Sequence, residues 1–71
     1  GLRLDDFQNQ IENKLSYLLS GDIPFLEIIH GHGDGVLKTW TRQYIASMKD
    51  QFTFEIPDHS NDGSTKILLK N

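Results

Sequence analysis

Residues 28–38 read Ile28-Ile29-His30-Gly31-His32-Gly33-Asp34-Gly35-Val36-Leu37-Lys38, and this run decides the fold. An apolar segment, Phe25 to Ile29, leads into it, and a segment of helical character leaves it. Three glycines on alternate positions let bare backbone approach whatever lies there. Strand, glycine-rich turn and helix N-terminus together form an anion site, because unpaired N–H groups and the positive end of the helix dipole converge. His30 then stands at the carboxyl edge of a strand, where open α/β sheets bind ligands.

Outward from this run the chain alternates strand and helix patterns. Upstream, Leu2 and Leu4 flank Arg3 in strand-like alternation, and Asp5 or Asp6 is placed to cap a helix. Phe7, Ile11, Leu15, Leu18 and Leu19 follow at helical spacing. Gly21 and Pro24 end that helix. The nearly unbroken run from Phe25 to Ile29 reads as a strand covered on both faces. Downstream, Leu37, Trp40, Tyr44 and Met48 step by three or four, with Ile45 at the margin of that face. Phe52, Phe54 and Ile56 alternate with polar residues, Pro57 to Ser64 is a polar loop, and Lys66 to Lys70 forms a last strand.

The predicted order is therefore β-α-β-α-β-β. Strands joined through a helix run parallel with right-handed crossovers, and the last two form an antiparallel hairpin. The fold class expected is α/β, a two-layer sandwich of two helices on a four-stranded mixed sheet.

Composition narrows the function. The chain has 71 residues, enough for one small domain that buries about 60% of its unfolded surface. It contains no cysteine, which excludes disulfide scaffolds and thiolate zinc sites and fits a cytoplasmic location. No apolar run approaches the ~20 residues of a membrane span. The first residue is Gly1 and regular pattern begins at once, as expected of a single domain, residues 1–71, excised from a longer protein.

The net charge is −3, so bulk electrostatics oppose non-specific nucleic-acid binding. Charge is unevenly spread, however. Residues 35–49 carry Lys38, Arg42 and Lys49 and no acid. On a helical wheel these three fall within about 40° of one another and about 130° from the apolar centre. The helix thus packs one face and offers a separate basic stripe beside the glycine turn.

The run from Ile28 to Lys38 closely resembles the signature of the Smr (small MutS-related) domain: an apolar strand, His-Gly-x-Gly-x-Gly, then x-Leu-Arg or x-Leu-Lys opening the second helix. His30, Gly31, Gly33, Gly35, Leu37 and Lys38 match it. The resemblance covers essentially the whole chain. It implies a fold similar to the C-terminal domain of bacterial translation initiation factor three. It implies binding of DNA, branched or damaged, or of RNA, and in several members a nicking endonuclease activity. It also implies a parent chain resembling a dimerising MutS-like ATPase of DNA repair or recombination, the isolated domain being monomeric. One segment departs from the family. Where members begin Leu-Asp-Leu-His or Leu-Asp-Leu-Arg-Gly, this chain has Leu2-Arg3-Leu4-Asp5-Asp6.

The site expected from these residues has His30 as the catalytic proton donor or acceptor. Gly31, His32, Gly33, Gly35, Lys38 and Arg42 hold nucleic acid. Asp34 caps the second helix, His32 faces solvent, and Trp40 and Tyr44 belong to the core. A divalent ion such as magnesium would be shared between substrate and carboxylates, its protein ligands unknown. The alternative is a non-catalytic DNA-binding or protein-interaction module with a degenerate site.

Overall fold

The structure is a computed structural model that describes residues 3–31 and 35–70. Among these residues five elements follow in order: α1 (Leu4–Leu19), β1 (Leu26–Ile29), α2 (Val36–Ser47), β2 (Phe52–Glu55) and β3 (Ser64–Leu69). The sheet formed by the described residues has three strands in the order β1-β3-β2. Both contacts of β3 are antiparallel, Leu26 lying opposite Ile67 on one side and Phe54 opposite Ile67 on the other.

This differs from the expected four-stranded mixed sheet. Leu4 opens α1, and Asp5 and Asp6 sit in its first turn, with Arg3 at the N-cap. Leu2 lies outside the described residues, so no strand precedes α1 among the described ones. Two acids following Leu4 favour the positive end of a helix over an extended edge. β1 and β2 do run parallel, as the crossover through α2 requires, but β3 lies between them. All hydrogen-bonded strand pairs are therefore antiparallel.

Both helices cover the same face of the sheet. The core joins Phe7, Ile11, Leu15 and Leu18 of α1 and Ile45 of α2 to Leu26, Ile28, Phe52 and Ile67. β1 accordingly alternates buried and exposed, and Ile29 is 71% exposed. The expectation of a strand covered on both faces fails here. The apolar run contains Glu27, and that position faces water with Ile29. On the open face Lys66 lies opposite Glu27 and Glu55 on its two neighbouring strands, and its ammonium sits 4.5 Å from the Phe25 ring centroid.

The seat of α2 differs from its sequence reading in a way that matters for the site. Ile45 and Thr41 are fully buried, whereas Trp40 and Tyr44 are half-buried. These rings stack at 4.8 Å, and Trp40 meets Phe7 of α1 edge-on at 6.0 Å. The aromatic pair thus closes the gap between the helices, while the helix presses its Thr41–Ile45 side onto the sheet. The Thr41 hydroxyl donates to the Leu37 carbonyl of its own helix at 2.7 Å, so its burial leaves no polar group unmet. Turning that side inward brings Lys38 and Arg42 down against the sheet edge.

Replacing Ile67 by Ala removes a fully buried side chain that packs both β-pairings, and should cost about 2–5 kcal/mol. Ile29→Ala, on the open face, should change stability by less than about 0.5 kcal/mol. Urea unfolding of both variants checks the one-sided core. Equal losses would place a second layer over Ile29.

Candidate functional site

The glycine turn begins where β1 ends. The backbone N–H groups of His30 and Gly31 both donate to the Gly63 carbonyl, at 3.0 and 2.9 Å. These bonds carry the β1–β3 pairing past the last strand residues and fix the start of the turn to the start of β3. Gly31 then takes φ +72° and Gly35, the N-cap of α2, takes φ +84°. A Cβ at either position would touch nothing within 4 Å. The constraint is one of backbone, since left-handed φ is strained for residues with a side chain. His32, Gly33 and Asp34, the first two expected to bind and the third to cap α2, lie outside the described residues.

His30 is half-buried, and both of its ring nitrogens have partners. Nδ1 lies 3.1 Å from the Gly31 carbonyl, and Nε2 lies 2.9 Å from Thr65 Oγ1. A carbonyl only accepts, so the neutral ring carries its proton on Nδ1. Thr65 in turn accepts from Arg42 Nε–H at 3.1 Å, which leaves its own proton to donate to His30 Nε2. One hydroxyl therefore links the end of β1 to α2 through the middle strand. Thr65 is fully buried, and this double use satisfies it.

Arg42 extends the network. Its terminal nitrogens grip the Asp62 carboxylate with both oxygens engaged, NH1 at 3.3 Å to Oδ2 and NH2 to Oδ1. NH2 also reaches the Ser64 carbonyl at 3.4 Å. Lys38 donates to Asp62 Oδ2 at 3.2 Å. The stripe read as a free basic face is thus divided. Lys38 and Arg42 are half-buried and share one carboxylate, while Lys49, expected on the same stripe, lies beyond the end of α2 and is exposed. The seat of α2 brings the first two against Asp62, and the end of the helix at Ser47 leaves Lys49 off the stripe.

His30, Gly31, Gly35, Lys38 and Arg42, all singled out from sequence, do lie on elements that meet at this end of the sheet. Two members were missed. Asp62 reads as part of an ordinary polar loop, and nothing local marks it. Thr65 carried a signal: a lone polar residue in phase with Ile67 on an inward-facing strand, which a buried position must pair.

The hydrogen bonds from Arg42 hold the Asp62 carboxyl well below its ordinary 3.8, outweighing the opposing effect of desolvation, with Lys38 adding in the same sense. A carboxyl depressed on folding stabilises the fold fully above the unfolded value, and that stability is lost as pH falls through the folded value. Asp62→Asn should therefore be less stable than wild type at neutral pH. The gap should hold down to about pH 5 and close progressively below 3.8. Chemical denaturation of both proteins between pH 7 and 2 measures it, and a constant gap would mean that Asp62 is not held ionised by its partners.

Comparison with known proteins gives a consistent result. The Smr domain family model matches residues 1–70. The chain is 29% identical to Endonuclease MutS2 of Lactiplantibacillus plantarum over 72 aligned positions, which take in 99% of this chain and 9% of that protein. It thus spans about a tenth of the length of this relative. The crystal structure of the Smr domain of Thermus thermophilus MutS2 shares the fold, with a TM-score of 0.82 at 20% identity, covering all of this chain and 91% of that one. A family match across nearly every residue, on a backbone shared with a solved member, shows that this chain belongs to the Smr domain family.

Proposed function

We propose that the domain binds the phosphate backbone of a nucleic acid at the end of the sheet where His30, Gly31, Lys38 and Arg42 meet. The observation that carries this reading is the held guanidinium of Arg42. Its Nε–H is fixed by Thr65 and one NH2 proton by Ser64, so its outer edge has a set direction. A planar fork aimed in this way matches the oxygens of a phosphate in bidentate fashion. The adjoining glycine turn brings backbone close, and Lys38 adds a second cation one helical turn away. The family, and the name of the MutS2 relative as an endonuclease, support the same reading.

Binding is better supported than cutting. Both His30 nitrogens are engaged, one on buried Thr65 and one on a backbone carbonyl. As a proton donor or acceptor in nicking, His30 must first exchange one of these partners for the substrate. A protein-held divalent ion fits these residues poorly. The carboxylate of the cluster, Asp62, has both oxygens on cations, and no group of three or more His, Asp or Glu gathers among the described residues. The link to DNA repair or recombination through a MutS-like ATPase, and a cytoplasmic setting, belong to the same proposal.

Titration of a labelled branched DNA and of a matched RNA with the domain, at several salt concentrations, tests the reading. Affinity should fall steadily with salt, the slope being about −0.9 per phosphate neutralised on duplex DNA. Arg42→Ala should weaken binding about tenfold. No binding of either nucleic acid at low salt would sink the proposal. In a supercoiled-plasmid nicking assay, equal activity of wild type and His30→Ala would remove His30 from any cleavage step.

A further inference from the structure

We propose that Asp62 is an internal occupant of the phosphate position, and that a nucleic-acid backbone binds by displacing it from Lys38 and Arg42. The inference rests on the nucleic-acid reading above and adds its regulation: the site is closed in the free protein by the domain's own carboxylate.

The geometry is that of a stand-in. A carboxylate and a phosphate present similar oxygen pairs to a guanidinium fork. Asp62 uses both of its oxygens on the outer edge of Arg42 and shares one with the Lys38 ammonium. Those are the two cations expected from sequence to hold nucleic acid, and they meet on one carboxylate. The local charge is +1 with Asp62 in place and +2 once it leaves.

Departure of Asp62 need not dismantle the site. Arg42 keeps its bonds to Thr65 Oγ1 and the Ser64 carbonyl, so the fork remains aimed. Gly63, the next residue, stays tied through its carbonyl to the His30 and Gly31 N–H groups. On the other side the chain is held by a compact turn in which Asp58 accepts from the Ser60 backbone and hydroxyl at 3.0 and 2.6 Å. Asp62 therefore sits between two anchored points with its side chain one-third exposed, and rotation of that side chain alone releases both cations.

The arrangement also accounts for a conflict within the sequence. A protein of net charge −3 is repelled by polyanions, and a pair of exposed cations would attract small anions indiscriminately. A tethered carboxylate sets a threshold. Weak single anions fail to displace it, whereas a polymer contacting the turn and helix together succeeds.

The test measures binding of a labelled duplex oligonucleotide by wild type, Asp62→Asn and Asp58→Asn at three salt concentrations. Displacement predicts that Asp62→Asn binds about tenfold tighter, with salt slopes parallel to wild type because the same phosphates are neutralised in both complexes. Asp58→Asn removes the same charge from the same loop and retains a turn-forming side chain, so it should change affinity by less than about twofold. Equal tightening by both variants would reduce the effect to bulk charge and overturn the proposal. Weaker binding by Asp62→Asn would make Asp62 a support for the site, with the same result. Should Asp62→Asn fold poorly, the Asp62 carboxyl carbon of the wild-type protein can be followed by NMR. It should move toward the shift of a solvated carboxylate when oligonucleotide is added, and an unmoved signal in a saturated complex overturns displacement alone. Failure of every protein to bind removes the nucleic-acid reading itself, and displacement with it.

Discussion

The structure depends on β3 lying between the other two strands. It accepts pairing on both sides, at Leu26–Ile67 and Phe54–Ile67, so one residue, Ile67, stands at the centre of the sheet beneath both helices. Without β3, strands β1 and β2 would have no common partner, because they are joined by a crossover and do not touch as a ladder. A three-stranded sheet is near the minimum for a stable hydrophobic face. Both helices must then share that one face to build a core from a chain this short.

The same strand organises the site. Its first residues, Ser64 and Thr65, meet the end of β1 and the side of α2 together. Gly63 holds the turn by two backbone bonds, and Thr65 holds His30 and Arg42 by a single hydroxyl. A buried hydroxyl with two charged or polar partners is costly to leave half-satisfied, so these contacts stand or fall as a set. The consequence for function is a rigid inner layer, of Thr65, Ser64 and Gly63, carrying a more exposed outer ion cluster of Lys38, Arg42 and Asp62. Its ion pairs are only part-buried and remain within reach of solvent. That access is what the displacement proposed above requires.

Much of the site was legible before the fold. The His30-Gly31 step, Gly35, Lys38 and Arg42 are close in sequence, and a strand, turn and helix N-terminus bring near neighbours together by local geometry alone. Asp62 and Thr65 lie 20 and 23 residues away from Arg42. Their approach depends on which strand pairs with β1 and in what register, which no local pattern encodes. Of the strand expected at Leu2–Leu4, Leu2 lies outside the described residues and Leu4 opens α1 instead. Alternation over three residues is weak beside the preference of Asp5 and Asp6 for a helix start. Equally, the apolar run at Phe25–Ile29 marked a strand correctly but overstated its burial. Hydrophobicity reports what a side chain tolerates, and the number of layers decides what covers it.

The amino-acid sequence by itself determined the two helices, the three later strands, the hairpin, and the glycine positions Gly31 and Gly35 beside a basic flank, because each is specified by short-range spacing and by glycine's ready acceptance of left-handed backbone. It also carried the family. Tertiary structure decided the strand order, the open face, and the seat of α2 that turns Thr41 and Ile45 inward. Those choices come from fitting two helices onto one small face. They draw Lys38 and Arg42 onto Asp62, so a stripe that reads as free positive charge becomes a paired and closed cluster.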